Sequence, residues 1–239
     1  TLLMGHVGTL AVAPSVYPNL PYDPVKSFVP VAWVARVPNV LAVHPSMPVK
    51  NTTELVAYLK THPGQVNYGS GGNGSAAHLA TEYFKWVTQT FVVHVPYRGT
   101  APSVADAVAG QIQMVFTGAP AIIPMVKAGK LRAIAVSSPK RMEAMPDVPT
   151  LAESGVKGLV GFEADQWYGL VAPAGTPAVV VQKLNQVVNA SLSAPDMVAR
   201  LKTEGAVASP HSSEVFGQLI QSEIKRWRPV VANAKIKSD

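Results

Sequence analysis

A glycine-rich run, Gly-Ser-Gly-Gly-Asn-Gly-Ser at positions 69–75, constrains the fold more than any other feature of the sequence. The apolar segment 66–68 before it predicts a buried strand. Behind it, apolar residues recur at spacings of three and four, which predicts a helix with one buried face; they are Ala76, Leu79, Ala80, Tyr83, Phe84 and Val87. A loop between a strand and a helix gathers backbone N–H groups at the positive end of the helix dipole, which indicates an anion site.

The same alternation of strand and helix runs along the whole chain and predicts an α/β fold. Further strands are predicted at 2–4, 29–43 with a break at Pro38, 92–95, 112–116, 131–136 and 167–171. A capping box of Asn51 and Glu54 predicts a helix after residue 51, and Pro177 is predicted at the first position of another. The predicted inner face of that later helix is Val180, Val181, Leu184, Val187 and Val188.

Composition narrows the class of protein. Hydrophobic residues make up 48% of the 239-residue chain and charged residues 14%, which is enough apolar material for a core in one large domain or two small ones. No segment approaches the roughly 18 apolar residues of a membrane span, so a soluble protein is expected, and the opening residues do not indicate a signal peptide. The absence of cysteine excludes disulfides, thiolate zinc sites and cysteine nucleophiles.

The formal net charge of +6 does not predict a nucleic-acid partner. Such a partner would require clustered Lys and Arg with interleaved aromatic residues. The nearest cluster is Lys225, Arg226 and Arg228, on a helix whose Trp227 is expected to face the core. Two explanations of the positive charge remain: a moderately basic surface, or an electrostatic field that steers small anions to the protein.

The sequence pattern of the glycine loop does not favour a nucleotide phosphate or a dinucleotide as the anion that it binds. A phosphate-binding P-loop requires Lys followed by Ser or Thr, where this chain has Ser75 and Ala76. Gly69, Gly71 and Gly74 match the dinucleotide spacing, yet the next strand ends in His-Val-Pro-Tyr with no carboxylate for a ribose. No cofactor is therefore expected, and a plain tight turn stays open beside the anion site.

Two other turns carry small or hydroxylated residues after a predicted strand. Gly8 and Thr9 follow the first strand, and Thr117 is placed as an N-cap ahead of Ala119 and Pro120. Three such turns are typical of a ligand crevice at the carboxyl ends of parallel strands.

Catalytic and metal-binding patterns are lacking. Ser75 and His78 are three residues apart, a spacing that predicts surface neighbours rather than a nucleophile and base, and no Gly-x-Ser-x-Gly elbow exists. The six histidines show no metal-binding spacing, and the carboxylates form no acid and base pair. The sequence therefore predicts a binding protein rather than an enzyme.

The chain resembles the Bug-type, or TctC-like, extracytoplasmic solute receptors of tripartite tricarboxylate transport systems. The motifs that carry the resemblance run in order along the chain: LPYDP at 20–24, VPNVL at 37–41, NYGS at 67–70 with the rest of the glycine loop, HVPYRG at 94–99, AGKLR at 128–132, PDVPT at 146–150 and APAGTP at 172–177.

The resemblance implies a type II periplasmic-binding-protein fold with two α/β lobes around a ligand cleft. Lobe 1 would comprise residues 1–38 and 166–239, and lobe 2 residues 39–165. It further implies a monomeric periplasmic receptor, without metal or cofactor, that delivers a di- or tricarboxylate or an aromatic acid to membrane permease subunits. The alternative is a sensor of the same fold that signals to a membrane partner, and a serine hydrolase is a third, less favoured function.

Ligand-binding residues follow from the same resemblance. The carboxylate would be held by residues of the glycine loop, namely Ser70, Gly72, Asn73, Gly74 and Ser75. Gly8 and Thr9 would face it from the other lobe, Tyr97, Thr117 and Ala119 would line the pocket, and Trp167 would lie near the cleft. Core packing is the open alternative for Tyr97 and Trp167.

Two departures from the family pattern affect these expectations. An N-terminal segment with a Pro-Gly-Gly-type loop, one wall of the family's pocket, is absent from this chain. The turn after Phe116 often carries an acidic residue in relatives, where this chain has Thr117 and Gly118. If that acid binds an amino group, this protein favours a ligand without an ammonium.

Overall fold

The computed structural model describes residues 1–236, which divide into two compact units. Unit 1 comprises Thr1–Val37 together with the chain from Gln166 onward, and unit 2 is Pro38–Asp165. The lobes expected from the resemblance change over at residues 38 and 165, within one residue of these boundaries. Among the described residues, no helix is long and apolar enough to cross a bilayer.

Unit 2 is built on a five-stranded sheet in the order β5-β4-β6-β3-β7. Its strands are β3 (Asn39–Val43), β4 (Asn67–Ser70), β5 (Val93–Pro96), β6 (Met114–Gly118) and β7 (Arg132–Val136). Strand β4 is parallel to β5 and β6, whereas β3 runs antiparallel to its neighbours β6 and β7. Every residue of β3 and β6 is buried, as expected for central strands covered on both faces.

Four helices connect the strands of unit 2. They are α2 (Thr52–Thr61), α3 (Ala76–Thr88), α4 (Thr100–Val108) and α5 (Ala119–Lys127). The predicted start of α2 is confirmed, because Asn51 Oδ1 accepts from the Glu54 N–H at 2.9 Å. The Glu54 carboxylate closes the cap on the preceding N–H, that of Lys50, at 2.7 Å.

Helix α3 is buried on more of its circumference than its apolar pattern predicts. Leu79, Ala80 and Phe84 are fully buried as expected, but Tyr83 and Val87 are only half-buried. The polar residues His78, Thr81 and Glu82 are buried as well. A polar residue on a buried face needs hydrogen-bond partners: Thr81 bonds its own helix, His78 bonds the glycine loop, and Glu82 bonds Tyr68 and Lys85.

Unit 1 is built on a four-stranded antiparallel sheet in the order β1-β8-β2-β9. Its strands are β1 (Leu3–His6), β2 (Phe28–Val37), β8 (Gln166–Pro173) and β9 (Val207–Ala208). A π-helical turn at Gly8–Val12 leads into α1 (Ala13–Val16), and the C-terminal part forms α6 (Ala178–Leu192), α7 (Pro195–Thr203) and α8 (Ser213–Ala234).

The predicted inner face of α6 is wrong in part. Pro177 is the N-cap and not the first helical residue. Val181 is buried against β2 and β8 with Leu184 and Val188 packed beside it, a stripe with spacings of three and four. Val180 and Val187 lie off that stripe and are 43% and 52% exposed. A valine-rich helix has apolar residues on several faces, so its pattern does not select the buried one.

A buried carboxylate organises the core beneath α8. Phe216, Ile220 and Trp227 are buried, and Trp227 faces the core as predicted. Between them, Glu223 Oε2 accepts from the indole N–H of Trp227 at 2.9 Å and of Trp167 at 3.1 Å. Its other oxygen accepts from Arg226 at 2.9 Å. One carboxylate therefore satisfies two buried indole groups.

We expect Glu223→Ala to lower the free energy of unfolding by about 3 kcal/mol, because it leaves two buried indole donors without an acceptor. Glu223→Gln retains one acceptor oxygen and should cost less. Gln221→Ala, an exposed position on the same helix, should change stability by no more than about 0.5 kcal/mol. Urea unfolding of the three variants measures this, and equal losses for Glu223→Ala and Gln221→Ala would contradict it.

Candidate functional site

The glycine loop is shorter than its sequence suggests, because Gly69 and Ser70 continue β4. The connection to α3 therefore consists of residues 71–75. Two glycines in it have positive φ, +117° at Gly72 and +72° at Gly74, which L side chains rarely adopt. The Ser75 N–H closes the turn on the Gly72 carbonyl at 3.1 Å.

The dinucleotide-like spacing of glycines has a packing explanation. A Cβ on Gly69 would lie 2.5 Å from Ile112 Cδ1 and 2.9 Å from Ser103 Cβ, so this glycine makes room for helix α4 and for Ile112 in the segment before β6. Gly71 has no positive φ, and a Cβ there would meet only ordinary contacts at 3.5 Å. Of the three glycines in the spacing, only Gly74 is required by backbone conformation.

Donor groups remain at the N-terminus of α3. Ser75 is the N-cap, and its Oγ accepts from the His78 N–H at 3.3 Å. The N–H groups of Ala76 and Ala77, in the first turn, have no acceptor among the described residues. The loop thus presents uncharged donors at the positive end of a helix dipole, which suits a carboxylate.

Two histidine rings lie stacked beneath this loop. The rings of His78, on α3, and His94, on β5, are 3.9 Å apart with an interplanar angle of 16°. His78 Nδ1 accepts from the Gly74 N–H at 3.1 Å, and His94 Nε2 lies 2.6 Å from Ser70 Oγ. The Ser70 hydroxyl also bonds both the carbonyl and the N–H of Gly72 at 3.1 Å. Ser70 therefore supports the loop from inside and its hydroxyl is fully engaged.

A carboxylate and a cation complete the buried surroundings. Glu82 Oε1 accepts from the Tyr68 hydroxyl at 2.8 Å and from Lys85 Nζ at 2.6 Å. Burial and the neighbouring Glu82 raise the pKa of Tyr68 far above its usual range. Burial, with the positive charges of His94 and Lys85, lowers the pKa of His78 to about 3. His78 is consequently a neutral acceptor for the loop at any ordinary pH.

Tyr97 lies beside the loop and supports it through its backbone. Its N–H donates to the Ser70 carbonyl at 3.1 Å. The half-buried side chain donates its hydroxyl to Asp106 at 2.7 Å, and burial together with Asp106 raises the pKa of Tyr97 to about 12. Asn73 is half-buried within the loop itself.

The turn after β6 differs from its prediction. Thr117 lies within β6, is buried, and pairs with Val40 of β3. The N-cap of α5 is Gly118 rather than Thr117. Ala119 is fully buried and its N–H donates to the Pro38 carbonyl at 3.0 Å. The strand extends two residues further than the apolar run because its polar end stays paired in the sheet.

In unit 1, the predicted donors of the first turn are engaged locally. The Gly8 N–H donates to His6 Nδ1 at 2.9 Å. The Thr9 hydroxyl donates to the His6 carbonyl and accepts from the His6 N–H, both at 3.1 Å. This turn also begins a π-helical turn and follows an antiparallel strand, not one of a parallel set.

Trp167 is a core residue. It is 1% exposed, its ring packs edge-on against Phe216 at 5.7 Å, and its indole N–H is bound to Glu223. These contacts agree with core packing, the alternative that the sequence left open for Trp167.

The described part of the chain contains no arrangement of side chains suited to catalysis or to metal binding. His78 is buried, not on the surface as its spacing from Ser75 suggested. Ser75 Oγ faces the His78 backbone N–H, while the His78 ring is turned to Gly74, so the two side chains do not form a nucleophile and base pair. Residues 1–236 contain no group of three or more His, Asp or Glu able to hold a metal ion.

The sequence and fold of the chain were compared with those of known proteins. Residues 1–236 match the TctC family, described as the tripartite tricarboxylate transporter family receptor. BugT of Bordetella pertussis is 34% identical over 241 residues, which cover 99% of this chain and 72% of BugT. A protein of R. palustris solved with adipate is 36% identical with a TM-score of 0.91, covering 100% of this chain and 79% of that one. MatC of Rhodopseudomonas palustris, solved with bound malate, is 33% identical with a TM-score of 0.86, covering 97% and 79%.

The protein thus has the α/β fold of the periplasmic binding proteins, a class that binds solutes rather than catalysing reactions. It belongs to the TctC family of receptors for tripartite tricarboxylate transporters. The family resemblance read from the ordered motifs is confirmed.

The stacked pair of histidines, His78 and His94, is the part of the site that the sequence interpretation missed. His78 and His94 are far apart in the sequence and match no metal or catalytic spacing. The signal lies in strand pairing, because β4 and β5 are parallel with Tyr68 opposite His94, and the two rings stack at 4.8 Å. Aligning the two short strands would have placed His94 beneath the loop.

The lowered pKa of His78 predicts a pH-dependent stability. The unfolded chain takes up a proton at this ring near pH 6.5, whereas the folded protein does not until pH approaches 3. The stability contributed by the neutral ring is thus complete above about pH 6.5 and is lost as the pH falls toward 3, by up to about 1.4 kcal/mol per unit. Urea unfolding of the wild type and His78→Asn from pH 8 to 4 measures it. The variant should lose less stability on acidification, and parallel curves would contradict the expectation.

Proposed function

We propose that this protein is a periplasmic receptor that captures a small organic carboxylate and passes it to the membrane permease of a tripartite tricarboxylate transporter. The observation that carries the proposal is the loop at residues 71–75, which places free N–H donors of Ala76 and Ala77 at the head of α3. Membership of a receptor family supplies the context of transport.

The donors favour a carboxylate over a phosphate or a nucleotide. They are backbone N–H groups and the polar residues Asn73 and Ser75, and the P-loop lysine is absent. A carboxylate carries one charge and two acceptor oxygens, which a short row of N–H groups satisfies. Relatives solved with adipate and with malate hold ligands of this class. We therefore propose a dicarboxylate, with tricarboxylates and aromatic acids as the neighbouring candidates.

The ligand should lack an ammonium group. The turn that often carries an acidic residue in relatives has Thr117 and Gly118 here. The carboxylate of unit 2 nearest the glycine loop along α3, Glu82, is buried and bonded to Tyr68 and Lys85. A ligand ammonium at the Thr117 turn would lack the acidic residue that relatives often carry in this turn, so its desolvation would be less fully offset.

A sensor that signals to a membrane partner uses the same ligand site and differs only in the partner. A hydrolase is disfavoured by the orientation of His78 away from Ser75 Oγ. Turnover of an ester substrate that Ser75→Ala abolishes would overturn the binding-protein proposal.

Titration calorimetry with a panel of acids tests the ligand class. Adipate, succinate and malate should bind, and adipate should bind at least about tenfold tighter than glutamate or aspartate, because burying an unpaired ammonium costs free energy. Thermal unfolding at increasing ligand concentration provides an independent reading through linkage. Tighter binding of glutamate than of any dicarboxylate would contradict the prediction.

Two neighbouring glycines form a matched pair that tests the loop. Gly72→Ala forces a side chain into φ +117° with its Cβ 3.4 Å from the Tyr97 carbonyl, so adipate affinity should fall about tenfold or more. Gly71→Ala has ordinary φ and a nearest contact of 3.5 Å, so affinity should stay within about twofold. Equal adipate affinities of the two variants would show that the loop is not part of the binding site.

A further inference from the structure

The glycine loop rests on a stack of aromatic rings that no binding pattern predicts. His94 lies between Tyr68 at 4.8 Å and His78 at 3.9 Å, with nearly parallel planes on both sides. His78 bonds Gly74 within the loop, His94 bonds Ser70 at the end of β4, and the two rings are stacked on each other. Whatever fixes one ring therefore constrains the other, because a packed stack leaves little room for independent rotation.

The His78 ring fixes Gly74. The Gly74 N–H donates to Nδ1, so Nδ1 carries no proton and Nε2 carries it in the neutral ring. Gly74 is one of the two positions in the loop with positive φ. A hydrogen bond from this N–H to a buried ring selects that conformation among those that glycine can adopt.

The His94 ring fixes Gly72 through Ser70. The Ser70 hydroxyl has one proton, which it donates to the Gly72 carbonyl, and it accepts from the Gly72 N–H. Its remaining lone pair faces His94 Nε2 at 2.6 Å, and all three bonds are satisfied when Nε2 is the donor. Gly72 is the other glycine with positive φ.

The charges around the stack keep this arrangement stable. Glu82 Oε1 lies 3.9 Å from His78 Nε2 and is itself neutralised by Lys85 at 2.6 Å. Lys85 also lies over the Tyr68 ring. The lowered pKa of His78 keeps its Nδ1 free of a proton, which the bond from Gly74 requires.

We propose that His78 and His94 are positioning residues that hold the glycine loop in its carboxylate-binding conformation before the ligand arrives, one ring for each glycine with positive φ. They contact the loop and not the ligand. This inference rests on the proposed function and extends it by assigning the loop's preorganisation to two side chains.

The two positions require opposite amide replacements, which makes the test specific. Asn places its amide oxygen where His78 has Nδ1, and Gln places its amide nitrogen where His94 has Nε2. His78→Asn and His94→Gln should keep adipate affinity within about threefold. His78→Gln and His94→Asn put the amide at the wrong distance and should weaken adipate binding about five- to tenfold or more. A general loss of packing would not produce this crossed preference.

The hydrogen exchange rate of the Gly74 amide provides a readout that does not depend on a ligand. Exchange should remain slow in the wild type and His78→Asn and become faster in His78→Gln, all measured in folded protein verified by thermal unfolding. Equal adipate affinity of His78→Asn and His78→Gln, with equal affinity of the His94 pair, would overturn the inference while the proposed function stands.

The two proposals fail in distinguishable ways. If the wild type binds no acid of the panel, the proposed function is wrong, and the exchange pattern of Gly74 alone decides whether His78 positions the loop. Unchanged Gly74 exchange in His78→Gln would then overturn the positioning role. Faster exchange in His78→Gln but not in His78→Asn would support it.

Discussion

The passage from β4 to α3 is the constraint on which the rest of unit 2 depends. Within residues 71–75 the chain leaves a strand paired on both sides and enters a buried helix, so its backbone groups lose their sheet partners abruptly. Two glycines with positive φ make the change of direction. Ser70, Ser75 and His78 supply side-chain partners for the N–H groups of the turn and first helical turn.

Satisfying those groups has consequences for the neighbouring elements. Gly69 must remain without a side chain because Ile112 and Ser103 occupy the space, so α4 and the segment that precedes β6 pack close to β4. The N–H of Tyr97 closes on the Ser70 carbonyl and brings the segment after β5 alongside the loop. Among the described residues the N–H groups of Ala76 and Ala77 at the head of α3 have no acceptor, because the first turn of a helix has no preceding helical carbonyl to bond. A ligand anion is the group that can complete them.

The parts of this architecture set by local pattern were predictable from the sequence. The strand before the glycine loop, the helix behind it and the Asn51 cap depend on residues within a few positions of each other. The histidine stack was not, because it depends on the register between β4 and β5, which places Tyr68 opposite His94. The burial of Trp167 likewise depends on Glu223, which lies 56 residues away. Neither hydropathy nor spacing contains such partnerships, and each concerns a polar atom inside the protein.

The two buried glutamates show why the burial of polar residues is not predicted by the hydrophobic pattern of a sequence. Glu82 and Glu223 each lie on the buried face of a helix, and each accepts hydrogen bonds from an aromatic side chain. Each also bonds a cation three residues along its helix, Lys85 or Arg226. The cost of burying the carboxylate is offset only by this complete set of partners. They therefore stabilise their cores and are not acid or base groups for catalysis.

The proposed carboxylate site consists of neutral donors, which suits a receptor that must both bind and release its ligand. A buried arginine would form a strong bidentate pair with the ligand, and separating the two charges again would be slow. Backbone N–H groups bind less strongly one by one, so affinity depends on their being aligned before the ligand arrives. In the role proposed above, the histidine stack would supply that alignment from beneath the loop, and the lowered pKa of His78 keeps that ring neutral. The net charge of +6 can then attract acids over a longer range, where it affects the rate of encounter more than the strength of the bound state.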